Sequence, residues 1–147
     1  EYVLGQFDYG KNEQDVNNLT FMFGGMPRDL EEEAYNWYKK TKKFSTRVVG
    51  FRYRQERFVK VVNGEEILKM KPGQDVLVIR EPENKYDNNA VSFILNNGEK
   101  IGYVRKTIAS FLARLMDKGR IYQGKVSAVL ADYRDEDERV YVELMWE

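Results

Sequence analysis

Two short stretches set aromatic rings beside charges at spacings that suit recognition. Gly50-Phe51-Arg52-Tyr53-Arg54 alternates rings with guanidinium groups. In a strand, Arg52 and Arg54 share one face while Phe51 and Tyr53 share the other. A guanidinium pairs with phosphate through two parallel hydrogen bonds, and a ring on an open face stacks on an unpaired base. The same alternation also suits a strand with its rings in the core and its arginines in solvent. The second stretch is Arg80-Glu81-Pro82-Glu83-Asn84-Lys85-Tyr86-Asp87-Asn88-Asn89-Ala90-Val91. Asn84, Asp87, Asn88 and Asn89 are turn formers whose side chains bond nearby backbone. Such a turn has no need of Tyr86 at its centre. Asp87 can accept the turn's own N–H groups or a donor from outside.

The composition narrows the chemistry. There is no Cys and no His among 147 residues. Thiolate or imidazole zinc sites, disulfides and histidine-assisted nucleophiles are therefore excluded. Carboxylate, Lys, Tyr or an oxygen-ligated metal would have to serve any catalysis, and the chain is expected not to be an enzyme, with no cofactor and no metal. Lys and Arg total 24, as do Asp and Glu, but they are unevenly spread. Residues 46–126 hold 16 basic and 9 acidic residues, against 6 and 8 in 1–45 and 2 and 7 in 127–147. A basic centre suits a polyanion, because Lys and Arg release counterions when they meet phosphates. Ordinary surface charge produces the same pattern. No apolar run is long enough to span a membrane and no basic-then-apolar leader opens the chain, so a cytoplasmic protein is expected. The first residue is Glu1, which leaves room for a segment removed ahead of it.

These residues need elements to hold them. Residues 1–45 are read as an N-terminal extension with one helix, and 46–147 as a barrel domain. Leu19 to Phe23 suits a short strand. The helix is expected from Leu30 to Lys40, with Asp29 and Glu32 in a capping-box pattern and Leu30, Ala34, Trp37 and Tyr38 on one apolar face. Strands are expected at 46–53, 57–62, 76–80, 90–95, 100–104, 121–131 and 139–146. Asn63-Gly64 is a hairpin turn signal, and Asn96-Asn97-Gly98 marks another. Ile67 to Met70, before Lys71-Pro72-Gly73, reads as a short helical turn. A second helix from Lys106 to Lys118 carries Ile108, Phe111, Leu112, Leu115 and Met116 on one face, and Gly119 stands as its stop. Asp135-Glu136-Asp137-Glu138 reads as a solvated hairpin tip, since it lacks the glycine and spaced acids of a calcium loop. Lys71 to Asp75 is a turn and no phosphate loop. The sum is a mainly β domain: a small antiparallel β-barrel with two helices and an N-terminal extension.

Val78-Ile79-Arg80-Glu81-Pro82, Asn84 to Val91 and Ile101-Gly102-Tyr103-Val104, with the helix to Gly119, together resemble the HIRAN domain family over about residues 46 to 145. That family is found at the N-terminus of Swi/Snf-type helicase-like transcription factors that remodel stalled forks, and in bacteria alone or beside nuclease and helicase domains. The resemblance implies an OB-like barrel that binds single-stranded DNA and captures its free 3′-hydroxyl end, in DNA repair or at replication forks. It carries over onto Arg52, Tyr53, Tyr86, Asp87, Tyr103 and Lys106. Tyr53 and Tyr86 would stack on terminal bases. Asp87 would accept a terminal hydroxyl and repel a terminal phosphate, and Arg52 and Lys106 would hold backbone phosphates near a helix N-terminus. Lys85 stands where many members have Pro, and Tyr103 where the vertebrate helicase member has His. Swi/Snf ATPase motifs are absent from these residues, so any motor activity would belong to a helicase or nuclease in another chain or to a missing part of this one. The alternative reading is a protein-interaction or structural barrel that has lost the DNA site.

Overall fold

The computed structural model describes residues 28–130 and 138–147. Leu19 to Phe23 and Asp135 to Asp137 of the acidic loop lie outside the described residues. The order is α1 (Arg28–Lys40), β1 (Lys43–Arg47), two 3₁₀ turns (Phe51–Tyr53 and Gln55–Phe58), β2 (Val59–Val62), β3 (Glu65–Leu68), β4 (Asp75–Glu81), β5 (Ala90–Leu95), β6 (Lys100–Tyr103), α2 (Lys106–Asp117), β7 (Gln123–Val129) and β8 (Val140–Met145). No helix among the described residues is long and apolar enough to cross a membrane.

Period-two patterning builds the main sheet. Val76 and Val78 of β4, Val126 of β7 and Val140, Val142 and Leu144 of β8 point inward and are buried. Antiparallel pairing gives the order β1-β8-β7-β4-β5-β6. The two edges then meet: Val49, just past β1, exchanges N–H···O bonds of 3.0 and 2.9 Å with Tyr103 of β6. This bridge closes the expected small barrel. Gly102 makes the closure possible, because a Cβ there would sit 2.4 Å from the Val49 carbonyl oxygen. Only a residue without a side chain lets the two backbones approach so closely.

Helix α2 buries Ile108, Phe111, Leu112 and Leu115 in the barrel's core. It ends as the sequence indicates: the Gly119 N–H donates to the Met116 carbonyl and the Arg120 N–H to that of Leu115, a Schellman cap. Helix α1 packs onto the same core. Tyr38 is fully buried and stacks on Phe111, with ring centroids 5.5 Å apart. The Arg120 guanidinium donates to the carbonyls of Tyr38 (3.0 Å) and Lys39 (2.7 Å) and lies 3.6 Å over the Trp146 ring. A cation at the helix C-terminus satisfies carbonyls that have no partner within the helix. Asp29 falls inside the first turn of α1, rather than capping it. Strand β1 runs across the expected boundary at 45/46.

Two stretches also take a different secondary structure from the one expected. The strand expected at 46–53 stops at Arg47, because Gly50 takes a left-handed conformation (φ 76°) and Phe51 to Tyr53 wind into a 3₁₀ turn. Phe51 is then fully buried and Tyr53 is 81% exposed, so the two rings do not share a face. A threefold turn has replaced the twofold alternation. Ile67 and Leu68 belong to a strand, β3, which pairs with β2 instead of forming a helical turn. Asn63 and Gly64 both adopt positive φ (53° and 83°), the geometry that a two-residue hairpin turn requires. The ladder this turn sets up supplies backbone partners that an isolated helical turn could not.

Candidate nucleic-acid interface

Four elements converge on one open groove of about 540 Å³: the end of the β1 segment, the β4–β5 loop, β6 and the start of α2. Its lining includes Arg54, Lys85, Tyr86, Asp87, Tyr103 and Lys106.

The β4–β5 loop forms one wall, and its own polar side chains shape it. The Asn84 Oδ1 accepts the backbone N–H groups of Tyr86 (2.9 Å) and Asp87 (3.1 Å). Asp87 Oδ1 accepts the N–H of Asn89 at 2.9 Å. Both are the side-chain-to-backbone turns that Asn and Asp favour. Arg80 ties the loop down from below, donating to the Asn88 carbonyl at 2.6 Å and pairing through two nitrogens with Asp117 of α2 (3.1 and 3.3 Å). Tyr86 projects from this frame and is 94% exposed. A ring held out in water by a rigid loop has no packing role, and it offers a complete face for stacking. Asp87 engages one oxygen in the turn and leaves the other without a hydrogen bond among the described residues.

Tyr103 forms part of the floor. Its hydroxyl donates to Glu81 Oε1 at 3.0 Å and accepts from Lys100 Nζ at 2.9 Å. Lys100 also reaches Glu81 Oε2 at 2.7 Å. Burial alone would raise the Glu81 carboxyl, but hydrogen bonds led by those from Lys100, Asn84 and Tyr103 draw it down to about 2. For Lys100, burial works downward, and its bonds to Glu81 and Tyr103 outweigh it and raise the amine above its ordinary value. The Arg54 guanidinium lies 5.6 Å from the Tyr103 ring centroid, with Nη1 bonded to the Gly50 carbonyl at 3.2 Å. Lys106, exposed, opens α2, where first-turn N–H groups lack partners within the helix.

The structure thus brings Tyr86, Asp87, Tyr103 and Lys106 together. Arg52 and Tyr53 are exposed on the 3₁₀ turn beside Arg54 and lie outside the groove's lining. Arg54 is the wall residue that the strand reading misplaced. Gly50 was the available signal, since a glycine before an alternating run can break it. Among the described residues, no cluster of acids could hold a metal ion.

The HIRAN domain model matches residues 41–145. The chain belongs to the HIRAN domain family. It is 39% identical over 70 residues to the helicase-like transcription factor of Oryctolagus cuniculus; the match covers 48% of this chain and 6% of that protein. The crystal structure of the HIRAN domain of human HLTF superposes with a TM-score of 0.51 at 25% identity, covering 71% of this chain and 74% of that one. A Lactobacillus plantarum protein of known structure gives a TM-score of 0.52 at 25% identity, over 72% and 91% of the two chains.

Proposed function

We propose that this HIRAN domain is a DNA-binding module that takes the free 3′-hydroxyl end of a single strand into the Tyr86–Tyr103 groove. The observation that carries the reading is the groove itself. An exposed ring (Tyr86), three cations (Arg54, Lys85 and Lys106) and the Asp87 carboxylate line the same groove. A terminal base stacks on Tyr86, at roughly 1–3 kcal/mol per stacked base. Arg54 and Lys106 pair with the phosphates behind it, and the helix N-terminus adds donors. The open Asp87 oxygen accepts the terminal hydroxyl, while its charge repels a terminal phosphate. Arg52 and Tyr53 meet the strand as it leaves the groove. The domain acts by binding and not by catalysis. The family match and the helicase-like relative support DNA binding; on that basis the reading places the domain in repair or at replication forks, with a helicase or nuclease as its partner.

Fluorescence anisotropy with matched oligonucleotides tests this reading. The 3′-hydroxyl strand is expected to bind about tenfold more tightly than its 3′-phosphate counterpart, with affinity falling as salt rises. Equal affinities for the two ends would remove end capture and leave general DNA binding.

One observation favours a second reading, a protein-interaction barrel. The outer face of β4 and β7 carries an apolar groove of about 540 Å³, lined in part by Leu77, Ile79 and Ile121, which are 48%, 40% and 79% exposed. Absence of oligonucleotide binding at low salt would leave that face as the functional surface.

A further inference from the structure

We propose that Glu81 is the positioning residue of the groove: one carboxylate orients both the Tyr103 floor and, through Asn84, the Tyr86–Asp87 wall. The proposal rests on the DNA-binding reading for its functional meaning, although its structural half is testable without DNA.

Three donors from different parts of the chain reach this carboxylate. Tyr103 and Lys100 come from β6, and Asn84 Nδ2 comes from the loop at 3.0 Å. The Glu81 side chain is only 21% exposed, so these bonds are sheltered from competing water. An exposed ion pair would contribute little and would orient nothing.

The contact with Asn84 matters most. A side-chain amide has a donor end and an acceptor end. Glu81 takes the donor end, which leaves Oδ1 to accept the N–H groups of Tyr86 and Asp87. Were the amide reversed, its NH₂ would face two N–H donors and its oxygen would face a carboxylate. Glu81 therefore selects the amide orientation that forms the turn, and the turn projects Tyr86 and aims Asp87. The second link runs to the Tyr103 hydroxyl, which Glu81 and Lys100 hold between them so that the ring stays as floor beneath Arg54. Glu81 does not line the groove, so its effect on a ligand passes through these two neighbours.

Two measurements decide the matter on the whole chain. The first is backbone amide exchange by NMR without DNA, well below the melting temperature of each variant. In Glu81→Ala the Tyr86 and Asp87 amides are expected to exchange at least about tenfold faster than in wild type, while core amides of β8 are unchanged. In Glu81→Gln the acceleration is expected to be about threefold, since its amide oxygen still accepts from Asn84 and Tyr103. The second is anisotropy with the 3′-hydroxyl strand, where Glu81→Ala is expected to bind about tenfold more weakly and Glu81→Gln about threefold. Unchanged exchange at Tyr86 and Asp87 would overturn the positioning role. So would faster exchange with unchanged affinity, or a uniform acceleration across the core, which marks a purely structural residue. If Glu81→Ala fails to fold, Glu81→Gln carries both measurements. If wild type binds no oligonucleotide at low salt, the DNA reading fails by itself, and loop exchange still decides whether Glu81 orients the turn.

Discussion

The groove's two walls are built differently. On one side the β4–β5 loop is held by its own side chains: Asn84 and Asp87 close turns, Arg80 anchors the exit and Glu81 braces the base. On the other side, the 3₁₀ turn at Phe51–Tyr53 hangs from the buried Phe51 ring and the left-handed Gly50, with Arg54 tethered to the Gly50 carbonyl. The loop wall is ordered by hydrogen bonds formed within a few residues, and the turn wall by packing against distant parts of the chain. A wall tied locally presents its stacking ring before any ligand arrives, which lowers the ordering cost of binding. A wall hung from the core depends on barrel closure to face the groove at all.

Breaking the closure should therefore have the largest effect. Gly102→Ala drives a methyl group against the Val49 carbonyl and the Val48 side chain, and it is expected to cost about 3 kcal/mol or more, separating the turn wall from β6. Thermal and urea unfolding check it; a loss below about 1 kcal/mol would show that the bridge does not govern this wall.

The next effect concerns the loop wall and its dependence on acid. The folded Glu81 carboxyl sits at about 2, below its ordinary 4.5. In acid the unfolded chain takes up this proton first, so the stabilisation is complete above about 4.5 and is lost as pH falls toward 2. Urea midpoints measured at falling pH should show wild type and Glu81→Gln converging across that window. Parallel curves would mean that the brace contributes no ionic stabilisation.

Asp87→Asn sharpens the comparison within the loop itself. An amide oxygen can still accept the Asn89 N–H, so stability should change by no more than about 0.5 kcal/mol. The negative charge is gone, however, and the preference for a 3′-hydroxyl over a 3′-phosphate should fall about tenfold. A melting curve and a pair of anisotropy titrations separate turn from ligand role. The smallest difference is expected between the arginines of the other wall. Arg54→Ala should weaken strand binding about fivefold and Arg52→Ala about twofold, each lowering the salt dependence by about one phosphate contact. A larger loss at Arg52 would place the strand's path over the outer side of the turn.

These contrasts also explain which features were legible in the sequence. The loop wall could be read because its causes are local. Asn, Asp and Gly at fixed offsets announce turns, and an aromatic inside such a run stands out for having no structural need. Helix α2 was legible for the same reason, its apolar face and Gly119 lying within a few turns of each other. The β2–β3 hairpin was half legible: Asn63-Gly64 announced the turn, but the polar Glu65-Glu66 start of β3 hid its second strand. Arg54 could not be placed, because a left-handed Gly50 and a buried Phe51 decide where it points, and neither shows in an alternating pattern.

What the sequence determined by itself was the set of elements whose signals are short-range: the two helices, most of the barrel strands and the turn carrying Tyr86 and Asp87. Only the tertiary structure decided that the turn at 50–54 faces this loop, that Tyr103 lies between them, and that Glu81 links floor to wall. Those relations join residues as far as 54 positions apart in the chain, such as Val49 and Tyr103, or join groups on separate strands. Periodicity and turn chemistry describe a residue's neighbours along the backbone. Which carboxylate meets which hydroxyl depends on strand order and register, and those follow from how the whole chain buries its apolar faces.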